Sequence, residues 1–229
     1  MTWDYVGAVG RGFLFALAAI LPILNPAATA PIFLSLTEGA SAGTRTLLAR
    51  RIARNMFLLL AGSMLVGSYV LDFFGISLPI VRIGGGLIVA ATAWRMLSVS
   101  PSSVDVRTQL AEAFTPEQAR RQAFYPLTFP ISCGPGSIAA AITVGVSLAD
   151  TRVSLTLAHI GGGLAALLGC AVLLYLAFRY AERLLRPLGE AGAIVFLRLA
   201  AFILLCLGVQ IIWEGVSGLL GPLLNAQMV

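Results

Sequence analysis

Apolar residues fall in six long runs along this chain, at residues 12–36, 53–71, 79–97, 123–148, 153–177 and 192–220. A helix needs about 20 such residues to cross the hydrocarbon core of a bilayer. The pattern therefore predicts an all-α membrane protein with six transmembrane helices. The first, fourth and sixth runs are long for a straight crossing, which suits a break or a tilt. Between the third and fourth runs lies the one sizeable polar stretch, residues 98–122, which holds Pro101, Ser102, Ser103, Asp105, Arg107, Glu112 and Glu117. It reads as a cytoplasmic linker with a short surface helix that starts at Thr115-Pro116. The linker divides a single membrane domain into residues 1–97 and 123–229, three helices each. Three crossings is an odd number, so a duplicated unit must insert upside down, as two inverted repeats.

Proline breaks two of the runs in nearly the same way. The first reads Leu21-Pro22-Ile23-Leu24-Asn25-Pro26, with Pro31 beyond it. The second reads Phe129-Pro130-Ile131-Ser132-Cys133-Gly134-Pro135-Gly136. A proline in a lipid-embedded helix strips a carbonyl of its amide partner, and hydrocarbon offers no water in its place. Matching breaks in the two halves of a chain point to a paired site in mid-membrane. Other local matches join Val81-Arg82-Ile83 to Leu197-Arg198-Leu199. The triplets Gly84-Gly85-Gly86 and Gly161-Gly162-Gly163 fit a different register and read as close-packing surfaces.

Composition agrees with a polytopic membrane protein: of 229 residues, 59% are hydrophobic and 11% charged, and the mean hydropathy is +0.93. Soluble domains carry about 25% charged residues. The formal charge of +5 comes from fifteen arginines and no lysine. No basic stripe is interleaved with aromatics, which argues against a nucleic-acid partner, and the lack of lysine excludes a Schiff-base mechanism. Arginines crowd the loops after the first, third and fifth runs, while only Arg11, Arg82 and Arg152 lie on the other side. That asymmetry places the arginine-rich loops in the cytoplasm and both termini outside. The segment around Arg11 to Ala30 imitates a signal peptide, but its motif recurs deep in the chain, where it cannot be one. Cys133, Cys170 and Cys206 are too scattered for a disulfide framework or a metal site. No cofactor is expected.

Asn25 followed by Pro26 is a helix start, as is Gly134 followed by Pro135. Half-helices should run from there toward Leu36 and Leu148, their N-termini facing the middle of the bilayer. Each end carries about half a positive charge and free amides, which suits a carboxylate. Carbonyls freed by Pro22, Pro26, Pro130 and Pro135 suit an ammonium group or a small cation. Ala27, Ala28, Gly136 and Ser137 leave little bulk. Together these features describe a pocket for a small zwitterion.

The same residues carry a family resemblance. Asn25-Pro26-Ala27-Ala28-Thr29-Ala30-Pro31-Ile32-Phe33 is similar to the first-span motif of the MarC/SnatA family of bacterial and archaeal inner-membrane proteins. Pro126-Leu127-Thr128-Phe129-Pro130 and Gly134-Pro135-Gly136-Ser137-Ile138 resemble its fourth-span motif. The resemblance implies a transporter of small neutral amino acids such as glycine and alanine, related to amino-acid exporters and linked to a proton. It carries Asn25, Pro26, Pro31, Gly134, Pro135, Gly136 and Ser137 over as site residues. The chain departs from the family pattern at Ser132-Cys133, at Ala201 and at Glu214-Gly215.

The ionisable residues avoid the bilayer centre, where a charge costs at least ~2.5 kcal/mol. Asp72 ends the second run and Glu214 lies late in the sixth. Arg82 is near enough in sequence to pair with Asp72. His159 is the one histidine, two turns into the fifth run, and has an intrinsic pKa suited to relaying a coupling proton. Gating and relay roles for these four stand beside plainer anchoring and packing ones. Two other function classes compete with transport. One is an intramembrane serine hydrolase built on Ser137 and His159, although no orienting acid is nearby. The other is a non-transporting scaffold, which leaves two matching breaks without a purpose. The balance of these readings is a transporter, not an enzyme.

Overall fold

The computed structural model describes residues 2–37, 39–98, 123–185 and 189–226. The linker and its expected surface helix lie outside the described residues. Every described element is a helix, as hydrocarbon demands of backbone that must satisfy its own polar groups. In chain order they are α1 (Thr2–Leu24), α2 (Pro26–Leu36), α3 (Ala42–Phe73), α4 (Leu78–Ser98), α5 (Ala123–Ser132), α6 (Pro135–Ser147), α7 (Val153–Arg179), α8 (Ala181–Leu185) and α9 (Gly189–Ala226). The first apolar run falls on α1 and α2, the fourth on α5 and α6, and the others on α3, α4, α7 and α9.

Among the described residues, four helical stretches are long and apolar enough to cross a membrane: Asp4–Leu34, Ala42–Phe73, Val153–Arg179 and Ala201–Leu220. The helices outrun their apolar runs where polar residues can still be helical. α3 starts at Ala42, a full eleven residues before its apolar run, because Ser41 caps it through the Thr44 amide at 3.1 Å. It ends in a tight reversal in which Gly75 takes φ +65° and the Ile76 amide reaches back to the Leu71 carbonyl at 2.9 Å.

Two helix pairs dominate the packing, α4 with α9 and α1 with α7. Both use glycine for backbone contact. A Cβ on Gly86 would lie 2.8 Å from the Gly208 carbonyl oxygen, and one on Gly215 would lie 2.7 Å from that of Pro79. Gly12 faces the His159 carbonyl, and Gly162 faces that of Val9, too closely for any side chain. Within each triplet the outer glycine, Gly84 or Gly161, meets nothing within 4 Å. The close-packing surface is thus two residues wide, on the faces turned inward.

The core is centred on α3, α6 and α7, with Ile52, Met56, Leu60, Val144, Leu167 and Leu174 fully buried or nearly so. Phe33 of α2 stacks on Phe178 of α7, with centroids 4.4 Å apart, which fixes the short helix against the long one. Large apolar side chains such as Leu58, Tyr69, Trp94 and Trp213 point outward, as a lipid-facing surface requires. The α3–α4 turn, the α6–α7 loop and the start of α4 lie at one end. Arg45 pairs with Glu182 at 3.2 Å at the other, where Arg179 and Arg183 also lie.

Candidate functional site

The first break is a single residue. Asn25 adopts φ +40°, the one non-glycine residue with positive φ among those described. Its amide closes α1 on the Leu21 carbonyl at 3.0 Å. Its side-chain oxygen accepts the Ala28 amide at 3.2 Å, so it caps α2. Pro26 occupies the first turn, where its missing N–H costs nothing. Pro22 sits inside α1 and Pro31 inside α2, so neither returns an amide to Ala18 or Ala27.

The second break is broader. Tyr125 (φ −120°, ψ 125°) and Phe129 (φ −114°, ψ 125°) are extended within α5. Each precedes a proline, whose ring disfavours the helical region for its predecessor. The turns widen to five-residue spacing: the Cys133 amide bonds the Thr128 carbonyl at 2.8 Å. The hydroxyls of buried Thr128 and Ser132 donate to the Ala123 and Leu127 carbonyls, the latter at 2.7 Å. These hydroxyls serve the Ala123 and Leu127 carbonyls, not those of Pro126 and Ile131, which lie four residues before Pro130 and Pro135. α6 then restarts at Pro135 behind Gly134, which has no side chain with which to cap. Gly136 and Ser137 are buried, and Gly136 lies against Val89 and Gly85 of α4.

α4 and α6 run antiparallel, and beyond Gly136 they open into a cleft of about 420 Å³ shared with α1 and α9. Ala18 and Pro22 line it from α1, Thr143 and Ser147 from α6. Arg82 enters from α4 and donates to the Thr143 hydroxyl at 3.4 Å. Glu214 enters from α9 and accepts from Gln210 at 3.2 Å. The two charges share the cleft without an ion pair between them, and Arg82 does not pair with Asp72. Gln210 and Thr143 were not singled out from sequence; a polar residue four before Glu214 on the same helix was the available signal.

Asn25, Pro26 and Ala27 line a different space, an apolar groove of about 950 Å³ between α1–α2, α7 and α9. Pro22 lines both the cleft and the groove. Ala28 is buried and Pro31 partly so. Gly134, Pro135, Gly136 and Ser137 line neither space, although α2 does touch α5 and α1 touches α6. Pro130 lies within α5. Asp72 is exposed beside Ser77 and Thr156 at the α3–α4 end. His159 lies at the α1–α7 crossing, its Nδ1 buried without a hydrogen-bond partner. Ser137 and His159 therefore share no hydrogen bond through Nδ1. Among the described residues no cluster of three His, Cys, Asp or Glu could hold a metal ion.

Comparison with known proteins covers both broken helices and the charged cleft. The profile of a family described as MarC family integral membrane protein matches residues 11–220. The inner membrane protein MarC of Escherichia coli O1:K1 is 33% identical over 219 residues, which is 93% of this chain and 96% of that protein. The MarC proteins of Escherichia coli strain K12 and Shigella flexneri match with the same identity and coverage. No solved structure gives a significant match. With the profile spanning everything from Arg11 to Leu220, the chain belongs to the MarC family of integral membrane proteins.

Proposed function

We propose that this chain is a secondary transporter of small neutral amino acids, glycine or alanine in size, working by alternating access in a bacterial inner membrane. The observation that carries the proposal is the cleft between α1, α4, α6 and α9, which sets Arg82 and Glu214 beside Pro22, in the last turn of α1 before the break at Asn25. A free amino acid carries the complementary pair of charges. Its carboxylate meets the Arg82 guanidinium, the planar fork best suited to it. Its ammonium meets Glu214 and the Ala18 carbonyl that Pro22 leaves unpaired. Ala18, Ala19, Ala139 and Ala140 shape the wall and favour a short side chain.

Six crossings and an inverted repeat belong to the same proposal: α1–α2, α3 and α4 would match α5–α6, α7 and α9. The packing supports that exchange. α1 on α7 answers α5 on α3, α2 on α9 answers α6 on α4, and α2 on α5 answers α6 on α1. The arginine-rich end faces the cytoplasm in this reading, and both termini lie outside.

Uptake of glycine and alanine into proteoliposomes, with and without a pH gradient, tests the function. Arg82→Gln and Glu214→Gln should each lower apparent affinity by about tenfold or more, the worth of one charged hydrogen bond. Saturable uptake that neither substitution alters overturns the assignment of the site. No binding or uptake of any small amino acid overturns the function.

A further inference from the structure

A third space, away from the charged cleft, lies at the arginine-rich end. It is a pocket of about 420 Å³ lined by Arg45, Thr46, Arg179, Tyr180, Glu182 and Arg183. Arg45 is neutralised by Glu182 and its Nε donates to the Thr37 carbonyl at 3.3 Å, at the C-terminus of α2. Arg179 and Arg183 have no carboxylate partner within 4 Å among the described residues. Both guanidiniums instead lie over the same ring, Tyr180, at 5.5 and 5.9 Å from its centroid. Arg179 is further held by the Tyr175 hydroxyl at 2.6 Å. Two like charges fixed on one ring repel, and an anion seated between them relieves that repulsion.

Tyr180 and Arg183 also line the apolar groove. The pocket and the groove therefore adjoin at these two side chains, one cationic and the other walled by Leu173, Leu176, Leu184 and Leu199. We propose that together they bind one anionic phospholipid. Its phosphate would sit at Arg179 and Arg183, and an acyl chain would run along α7 and α9 to the break at Asn25. Charge complementarity at one end and an apolar wall at the other select this occupant. A soluble phosphate compound would leave the groove empty, and a zwitterionic lipid would bring its own cationic headgroup up against two arginines. The proposal does not depend on the transport reading, since the charged cleft lies on the other side of Pro22.

Native mass spectrometry of the purified protein, with phosphatidylglycerol and phosphatidylcholine in competition, tests it. Phosphatidylglycerol should be retained about fivefold more for each arginine engaged. Arg183→Gln, a change on the exposed face of α8, should remove about one such factor, and Arg179→Gln with Arg183→Gln should abolish the preference. Ala177→Trp, which fills the groove, should cut retention of both lipids. Equal retention of the two lipids by the native chain overturns the proposal. So does an unchanged preference in Arg183→Gln, or displacement of phosphatidylglycerol by millimolar inorganic phosphate.

Discussion

Asn25 does two things at once: it takes a backbone conformation that other side chains resist, and it caps the helix that follows. Substitution can separate them. Asn25→Gly keeps the positive φ and loses only the cap, a cost of a few tenths of a kcal/mol. Asn25→Ala loses the cap and strains the backbone, about 2 kcal/mol in all. Thermal unfolding in detergent should rank native, glycine and alanine variants in that order, with amino-acid binding weakest in the alanine variant. Equal melting of both variants would mean that the positive φ carries no cost. This residue was legible in the sequence because its signal is local, an Asn before a Pro between apolar turns. Arg82 was legible only as a charge. Its place beside Thr143, 61 residues away in the chain, depends on how α4 and α6 cross, and nearest-neighbour reasoning pointed to Asp72 instead.

Elements show the same division between local and long-range information. The starts of α2 and α6 fall where the proline motifs predict, and the boundaries of α4 and α7 lie within two residues of their apolar runs. The widened turns of α5 were harder to see. Their cause is local, two prolines that push Tyr125 and Phe129 out of the helical region, but the hydroxyls that heal the ladder become visible only once the spacing has changed. The glycine triplets were readable as packing surfaces, though not which glycine faces which partner. That detail makes a sharp test. Gly86→Ala drives a methyl into the backbone of α9, whereas Gly84→Ala meets open space. The first should destabilise the protein by about 1–3 kcal/mol, as overpacking does. The second should be neutral or slightly stabilising, since alanine is the better helix former. Comparable losses in both variants would mean that α4 does not approach α9 through this face.

At the scale of the whole molecule, the broken first helix divides two environments. The cleft on one side holds both signs of charge, and the groove on the other is apolar and opens at the arginine-rich end. Ser147 lines the charged cleft near the α6–α7 loop, and Thr46 lines the arginine pocket at the opposite end. With the exposed Cys206 replaced by alanine, Ser147→Cys in intact spheroplasts should react with a membrane-impermeant maleimide. Thr46→Cys should react only after the membrane is opened. Saturating alanine should slow labelling of Ser147→Cys and leave that of Thr46→Cys unchanged, because the proposed solute site is lined by Ser147 and not by Thr46. Labelling of Thr46→Cys from outside would reverse the proposed orientation. Indifference of Ser147→Cys to alanine, in protein that still transports it, would move the solute out of this cleft and toward the main-chain ends of α2 and α6.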